Sequence, residues 1–316
     1  MTFAFVFPGQ GSQSVGMMQA WAARDEVRQT FTEASDALGM DLWQLVSDGP
    51  VEILNQTTQT QPAMLAADVA LWRVWRAAGG ARPAMLAGHS LGEYAALVAA
   101  EALDFADAIK LVRFRAEAMQ AAVPEGVGAM AAILGFDNTA VTEVCAEAAQ
   151  DEVVEAVNLN SPGQVVIAGH KNAVERAMKL AKERGAKRAL ALPVSVPSHS
   201  SLMRPAAEKL LAYLQSVSLR APRLGVLHNT DVRSHADAAS IREALALQLH
   251  TPVRWSETIQ AMKQAGVEQV IECGPGKVLT GLTPRIEASL AASALSDEAA
   301  LQHALTATQT STEGAQ

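Results

Sequence analysis

Ser90 lies between two glycines, Gly88 and Gly92, in the spacing G-x-S-x-G. This spacing is typical of a nucleophile elbow, a sharp turn between a strand and a helix that exposes a serine hydroxyl. Glycine is favoured at both flanking positions because a side chain there would collide where strand and helix pack closely. A helix that begins at Leu91 would direct its free N–H groups toward negative charge beside Ser90. The alternative, a glycine-rich turn with an incidental serine, stays open on this pattern alone.

A serine hydroxyl needs a base to take its proton, and histidine is the usual base near neutral pH. The chain has seven histidines. His199 is the best candidate because it lies in a loop rich in proline and serine, just before a predicted helix. His89 is a poor candidate because the side chains of consecutive residues at a turn diverge. The other five are interpreted as surface or structural histidines: His170, His228, His235, His250 and His303.

No aspartate or glutamate can be assigned as the third member of a catalytic triad. In α/β-hydrolases the serine is followed by the acid and then by a histidine near the end of the chain. His199 precedes most of the later predicted strands, so the order of residues disfavours an ordinary esterase or lipase. A second polar, glycine-rich loop at 8–13 follows the first predicted strand, at the end of the strand where open α/β sheets bind ligands.

The elements that must position these residues alternate between strands and helices. The hydrophobic run at 3–7 indicates a central strand buried on both faces. We predict an α/β fold with an α/β-hydrolase-like core and a parallel sheet. The predicted strands are 3–7, 84–87, 224–227 and 267–273, and the predicted helices are 16–23, 27–38, 61–79, 91–103, 104–123, 206–214, 238–249 and one from residue 277.

Residues 128–194 have a separate order of elements. Strands at 129–134, 153–159, 164–168 and 187–193 and helices at 139–149 and 172–184 give β-α-β-β-α-β, the ferredoxin-like order. This order predicts an inserted subdomain with its own small core. Residues 1–127 and 195–295 would then form the catalytic core, and 296–316 a tail with a fraying helix and a disordered end.

The composition excludes several classes of protein. With 316 residues and 49% hydrophobic residues, the chain suits one large domain or a domain with a smaller insertion. A net charge of −8 and the lack of a block of like charges argue against nucleic-acid binding. No apolar run approaches the roughly 18–20 residues of a membrane span, and the N-terminus does not resemble a signal peptide, so we expect a cytoplasmic protein. Cys145 and Cys273 lie in apolar patterns, and we predict no metal site.

Six ordered motifs carry a resemblance to a known family. They are 7–13 (FPGQGSQ), 88–94 (GHSLGEY), 112–115 (VRFR), 160–164 (NSPGQ), 193–199 (PVSVPSH) and 272–276 (ECGPG). Together they closely resemble the malonyl-CoA:acyl carrier protein transacylase family of fatty-acid synthesis, over the chain to about residue 295. Several ordered motifs are far more specific than G-x-S-x-G alone.

The resemblance implies a ping-pong transfer of the malonyl group from malonyl-CoA to the phosphopantetheine thiol of acyl carrier protein. Ser90 would carry the malonyl ester, and His199 would act as its base and later as an acid. The main-chain N–H groups of Leu91 and Gln10 would form the oxyanion hole. The main-chain carbonyl of Gln248 would hold His199 in place of an acid. No cofactor is implied, and the expected partners are malonyl-CoA, coenzyme A and acyl carrier protein.

Arg115 matches the arginine that receives the malonyl carboxylate in this family. A planar guanidinium can bind a carboxylate with two parallel hydrogen bonds, which makes the role physically sound. Spacing alone does not distinguish this role from that of a solvated helix arginine such as Arg113.

Weaker assignments follow from the same resemblance. Asn160 and Gln164 would face the thioester arm. Lys187 and Arg188 would meet the phosphates of coenzyme A or the acidic carrier protein, and a solvated strand end is the alternative. His228 stands where many relatives carry asparagine.

Three other functions stay open at this point. The first is a stand-alone acyltransferase of a polyketide pathway, and the second is a thioesterase or esterase that uses the same elbow. The third is a catalytically idle docking module, which the presence of Ser90, His199 and Arg115 disfavours. We expect a monomer that binds neither nucleic acid nor a membrane.

Overall fold

The computed structural model describes residues 1–194 and 196–309. Its strands are β1 (Phe3–Phe7), β2 (Met85–Gly88), β3 (Gly128–Leu134), β4 (Val154–Ser161), β5 (Gln164–His170), β6 (Arg188–Ala191), β7 (Gly225–Leu227), β8 (Gln269–Glu272) and β9 (Ala291–Ala294). Its helices are α1 (Asp25–Leu38), α2 (Leu42–Asp48), α3 (Val51–Leu54), α4 (Thr57–Ala77), α5 (Gly92–Ala99), α6 (Phe105–Ala122), α7 (Asn138–Ala149), α8 (Lys171–Glu183), α9 (Arg204–Leu214), α10 (Ala238–Gln248), α11 (Trp255–Gln264), α12 (Val278–Ile286) and α13 (Glu298–Gln309).

The larger sheet has the order β7-β2-β1-β8-β9, and all of its neighbouring strands are parallel. β1 lies at its centre and is buried along its whole length. Phe3, Phe5 and Phe7 pack into the main hydrophobic core on one face, while Ala4 and Val6 pack into a second cluster on the other. The alternation follows from the two-residue period of a strand. The predicted parallel α/β core is confirmed.

The smaller sheet has the order β4-β5-β3-β6, and its neighbouring strands are antiparallel. With α7 and α8 it forms the β-α-β-β-α-β unit that the sequence predicts. The unit has a separate hydrophobic core that includes Ile133, Val144, Val165 and Ala177. The ferredoxin-like insertion is therefore confirmed as a fold, while the predicted domain boundaries remain a prediction.

One edge of the insertion is joined to the larger part of the molecule. The N–H of Leu159 donates to the carbonyl of Val253 at 2.9 Å, and the N–H of Val253 donates to the carbonyl of Val157 at 2.8 Å. These bonds extend the smaller sheet with a segment that precedes α11. As a result, the two sheets hold a fixed cleft between them.

Some predicted elements have the wrong bounds, and some elements of the structure were not predicted. The span 16–23 contains only a short 3-10 helix, Gln19–Trp21, and α2, α3, α11 and β9 were not predicted. α5 ends at Ala99 rather than near residue 103 because Glu101 takes a left-handed conformation with a φ of 58°. The N–H of Ala102 then donates to the carbonyl of Leu97, which closes the helix as a glycine usually does. A glutamate at this position gives no stop signal in the sequence.

The start of the predicted tail forms a helix at residues 298–309. α13 packs against the main core through Leu301, Ala304 and Leu305, whose spacing places them on one helix face. Arg24 forms a bidentate ion pair with Glu298 at the start of this helix, with both distances 2.6 Å. Residues 310–316, the rest of the predicted tail, lie outside the described residues.

Within residues 1–194 and 196–309, none of the helices has the length and hydrophobicity of a membrane span. The same residues contain no group of three His, Cys, Asp or Glu side chains that is placed to hold a metal ion.

Candidate active site

Ser90 lies at the sharp turn between β2 and α5 and has a positive φ of 52°. A side chain at Gly88 would place its Cβ 1.9 Å from the main-chain carbon of Gly92. A side chain at Gly92 would place its Cβ 2.1 Å from the carbonyl oxygen of Phe7. Both glycines are therefore required by close packing of backbone on backbone. The strained serine is held as a nucleophile elbow requires.

The hydroxyl of Ser90 faces the ring of His199. Ser90 Oγ lies 2.8 Å from His199 Nε2, and His199 Nδ1 lies 2.7 Å from the main-chain carbonyl oxygen of Gln248. A carbonyl oxygen can only accept, so Nδ1 carries the proton and Nε2 is left to accept from the serine. This arrangement can remove the proton from Ser90 without a carboxylate next to His199.

The surroundings of His199 favour its neutral form. Burial, together with the positive charge of Arg115, lowers the pKa of His199 to about 3. A neutral imidazole is the form that accepts a proton, so this ring is ready to act as a base across the neutral range.

The guanidinium of Arg115 is buried beside the same serine, with 1% of the residue exposed. Its Nη2 donates to Ser90 Oγ at 3.2 Å and to Gln248 Oε1 at 3.0 Å, and its Nη1 donates to Gln61 Oε1 at 2.8 Å. Burial lowers the pKa of Arg115. Among the described residues, no carboxylate is paired with this guanidinium. The site therefore presents a desolvated positive charge that an anionic acyl group can pair with.

The two residues whose main-chain N–H groups are expected to form the oxyanion hole lie in neighbouring segments. Leu91 follows the serine at the start of α5, and Gln10 lies in the loop after β1. Both line the same cavity as Ser90. The two segments approach closely because Gly9 has no side chain: a Cβ there would lie 2.5 Å from the carbonyl oxygen of His89.

The cavity that contains these groups has a volume of about 190 Å³. Gln61, Ser90 and Arg115 line it from the part of the chain that contains the larger sheet, and Met130, Asn158 and Leu192 line it from the insertion. The cavity therefore lies in the cleft between the two sheets, at the carboxyl ends of β1 and β2, where open α/β sheets bind ligands.

Comparison with known proteins adds to this geometry. Residues 4–304 match the family model described as acyl transferase domain. The malonyl CoA-acyl carrier protein transacylase of Salmonella typhimurium is 58% identical over 305 residues, which cover 96% of this chain and 99% of that protein. The chain belongs to the malonyl CoA-acyl carrier protein transacylase family.

Solved structures of similar proteins agree with this membership. The acyl-carrier-protein S-malonyltransferase of Burkholderia pseudomallei superimposes with a TM-score of 0.95 at 58% identity, covering 97% of this chain and 100% of that one. A malonyl-transacylase in complex with its type II PKS acyl-carrier protein gives a TM-score of 0.96 at 56% identity, with 97% and 100% covered.

The subdomain residues suggested by sequence do not all reach the cavity. Asn160 is buried, and its Oδ1 lies 2.9 Å from His89 Nε2, so it joins the insertion to the elbow. Gln164 accepts from Arg285 at 3.1 Å on the surface. Lys187 and Arg188 are exposed and do not line the cavity.

Several side chains near the site were not predicted from the sequence. Asn229 accepts the N–H of Ser90 and donates to the carbonyl of Gly88, both at 2.7 Å, so it fixes the turn from two sides. Asn158 lines the cavity, and its Oδ1 has no partner among the described residues. The available signal for Asn229 was its position just after β7, a parallel strand that ends at the same edge of the sheet.

Proposed function

We propose that this chain transfers the malonyl group from malonyl-CoA to the phosphopantetheine thiol of acyl carrier protein and so supplies the extender unit for fatty-acid synthesis. The observation that carries this proposal is the 3.2 Å distance between Arg115 Nη2 and Ser90 Oγ inside a buried cavity. An acyl group on this serine meets a positive charge directly beside the ester. A malonyl carboxylate can pair with that charge, whereas an acetyl group cannot.

The first half of the reaction forms the acyl-enzyme. His199 Nε2 accepts the proton of Ser90 as its oxygen attacks the thioester carbonyl of malonyl-CoA. The N–H groups of Leu91 and Gln10 stabilise the oxyanion, and the protonated His199 then donates its proton to the departing thiolate of coenzyme A. The carbon–sulfur bond breaks, and malonyl remains on Ser90 as an ester.

The second half reverses these steps with a different thiol. His199 takes the proton of the phosphopantetheine thiol, the sulfur attacks the ester carbonyl, and Ser90 leaves with the proton that His199 returns. The main-chain carbonyl of Gln248 keeps the imidazole oriented throughout, because it holds Nδ1 by a neutral hydrogen bond. Arg115 retains the malonyl carboxylate between the two halves.

The remaining assignments concern the approach of the two thioesters. Exposed Lys187 and Arg188 offer positive charge to the phosphates of coenzyme A or to an acidic carrier protein. Asn160 would act through its contact with His89, and Gln164 would act at the rim of the cleft. Asn158 has an unpaired side-chain oxygen that can accept from an amide N–H of the thioester arm. A cytoplasmic location and a monomeric state also belong to this proposal.

One assay separates the proposed transfer from its rivals. The chain is supplied with malonyl-CoA, with and without carrier protein that bears phosphopantetheine, and malonyl-carrier and free malonate are both quantified. We expect malonyl-carrier as the main product and its loss in S90A. Free malonate as the main product would instead identify a thioesterase, and no turnover would identify a docking module.

A second candidate function is malonyl transfer to a polyketide carrier protein. It is favoured by the 56% identical malonyl-transacylase whose solved complex holds a type II PKS acyl-carrier protein. Comparing kcat/KM for carrier proteins of both pathways, at the same malonyl-CoA concentration, tests this candidate. Comparable values would support service to both pathways, and a value confined to the fatty-acid carrier would exclude it.

A further inference from the structure

A fully buried carboxylate lies close to the site but forms no hydrogen bond with the side chains of Ser90, His199 or Arg115. Glu93, in the first turn of α5, is 0% exposed. Its Oε1 lies 2.7 Å from His228 Nδ1. Its Oε2 accepts from the N–H of Asn229 at 2.9 Å and from Gln248 Nε2 at 3.0 Å. Every donor in this cluster is buried as well.

The side-chain amide of Gln248 links this carboxylate to the acyl site. Gln248 Nε2 also donates to the carbonyl of Ser90 at 3.0 Å, while Gln248 Oε1 accepts from Arg115 Nη2 at 3.0 Å. A reversed amide would place its NH₂ group against the guanidinium and its oxygen against the carboxylate. The first contact would place a donor against a donor, and the second an acceptor against an acceptor. Glu93 therefore selects the orientation in which Gln248 presents an acceptor to Arg115.

We propose that Glu93 is a positioning residue for the specificity of acyl transfer: by fixing the Gln248 amide it places the Arg115 guanidinium against the acyl group on Ser90. This inference rests on the proposed function, because it assigns Glu93 a part in the preference for a carboxylate-bearing acyl group. It also gives Gln248 two separate roles. Its main chain orients His199, and its side chain orients Arg115.

A purely structural role for Glu93 makes a different prediction, and the chain contains a matched control. Glu272 is also 0% exposed and accepts from the N–H groups of Leu279 and Thr280 at 3.2 and 2.7 Å. Neither Leu279 nor Thr280 lines the cavity. Replacing Glu272 therefore removes a buried, hydrogen-bonded carboxylate without altering the acyl site.

The experiment measures kcat/KM for malonyl-CoA and for acetyl-CoA, together with the melting temperature, in wild type, E93M, E93Q, Q248M and E272M. In E93M we expect the malonyl-to-acetyl ratio to fall about 10- to 100-fold, because a charged hydrogen bond to Arg115 is misplaced. E93Q should retain most of the ratio, because its amide oxygen can face Gln248 while its NH₂ group faces Nδ1 of a neutral His228. E272M should lose stability and keep the ratio.

Each outcome decides the proposal. A lower melting temperature in E93M with an unchanged ratio overturns it, as does an E93Q ratio as low as that of E93M. If E93M does not fold, Q248M decides: a lower ratio supports the proposal, and an unchanged ratio overturns it. A wild-type protein that forms no malonyl product would instead overturn the proposed function itself.

Discussion

Arg115 concentrates the specificity of the proposed reaction in one side chain. Its guanidinium is buried and bonded to two amide oxygens and to Ser90, so it reaches the acyl group in a fixed orientation. We expect R115A to lower kcat/KM for malonyl-CoA by about 100-fold or more, because charged hydrogen bonds contribute about 1.5–3 kcal/mol each. The rate with acetyl-CoA should fall far less.

Steady-state kinetics with both substrates measure this effect. R113A is the matched control, since Arg113 lies on the same helix but pairs with Glu117 at 2.6 Å on the surface. An R115A enzyme with the wild-type preference for malonyl over acetyl would remove Arg115 from the carboxylate site.

His199 gives a prediction about pH. Its pKa is lowered to about 3 by burial and by the charge of Arg115. The neutral ring is the base, so protonation would inactivate the free enzyme only as the pH falls toward that value. We expect kcat/KM for acetyl-CoA to stay flat from about pH 8 to about pH 5, without the acid limb of an ordinary histidine near pH 6.5.

The same profile in R115A provides the internal comparison. Removing the positive charge takes away one cause of the lowered pKa, so the acid limb should move to higher pH. A wild-type limb centred near pH 6.5 would mean that burial does not depress the pKa of His199.

At the scale of single elements, the elbow depends on glycine at residue 88. A Cβ there would lie 1.9 Å from a main-chain carbon in the next helix. We expect G88A to lose activity and about 3 kcal/mol or more of the free energy of unfolding, because neither backbone segment can move without displacing Ser90. Urea denaturation and the transfer assay measure the two effects.

Gly281, a glycine inside a helix, supplies the control. Gly281 lies in α12, is exposed, and has no atom within 4 Å of an added Cβ. G281A should therefore stabilise the protein by about 0.5–1 kcal/mol and leave activity unchanged. Wild-type stability and activity in G88A would show that the turn does not need a glycine.

The elements that could be predicted from sequence are those whose signal is local. The buried run of β1 and the glycines of the elbow can be recognised from their residue types. The insertion can be recognised from the order of its strands and helices. α5 could not be ended correctly, because Glu101 closes it in a conformation that usually marks glycine. β9 was missed because Ala291–Ala294 contains small residues without the branched or aromatic side chains that mark strands.

The candidate site also contains residues that could be predicted from the sequence and residues that could not. Ser90 and His199 were proposed from their chemistry and the N–H of Leu91 from the elbow, and the resemblance supplied Arg115, Gln10 and Gln248. The support around them was not predictable, since Glu93, Asn229 and Gln61 are distant from one another in sequence and are brought to the same site only in the folded chain. A buried glutamate at the start of a helix looks in sequence like a favourable charge at the helix dipole.

At the scale of the whole molecule, one buried carboxyl group opposes stability. Asp68 in α4 is 0% exposed, and neither of its carboxyl oxygens has a partner among the described residues. Burial and the nearby Glu272 raise its pKa well above the ordinary value. Asp68 is thus protonated in the folded state at pH values where the unfolded chain is ionised.

The sign of the resulting pH dependence follows from proton binding. Above the unfolded pKa of about 3.9 the folded state binds more protons, so Asp68 lowers the free energy of unfolding by up to about 1.4 kcal/mol per pH unit as the pH rises. D68N should lack this contribution, and its advantage over wild type should grow as the pH rises above the unfolded pKa of about 3.9. D36N, at an exposed site, is the control. Parallel stability curves for D68N and wild type would contradict this account.

The whole molecule also determines how the acyl group is held. The part of the chain that contains the larger sheet supplies Ser90, His199 and Arg115, and Met130 and Leu192 of the insertion line the same cavity. We expect this apolar lining to protect the ester from water until a thiol enters the cleft. This arrangement favours transfer over hydrolysis.

The most direct test of the account is the location and fate of the acyl group after reaction with malonyl-CoA alone. The protein is mixed with malonyl-CoA, quenched in acid and digested, and the modified peptide is sequenced by mass spectrometry. We predict one malonyl group per chain on Ser90, released as malonyl-carrier when carrier protein is added before the quench. Malonyl-carrier formed by a chain that carries no malonyl on Ser90 would contradict the account.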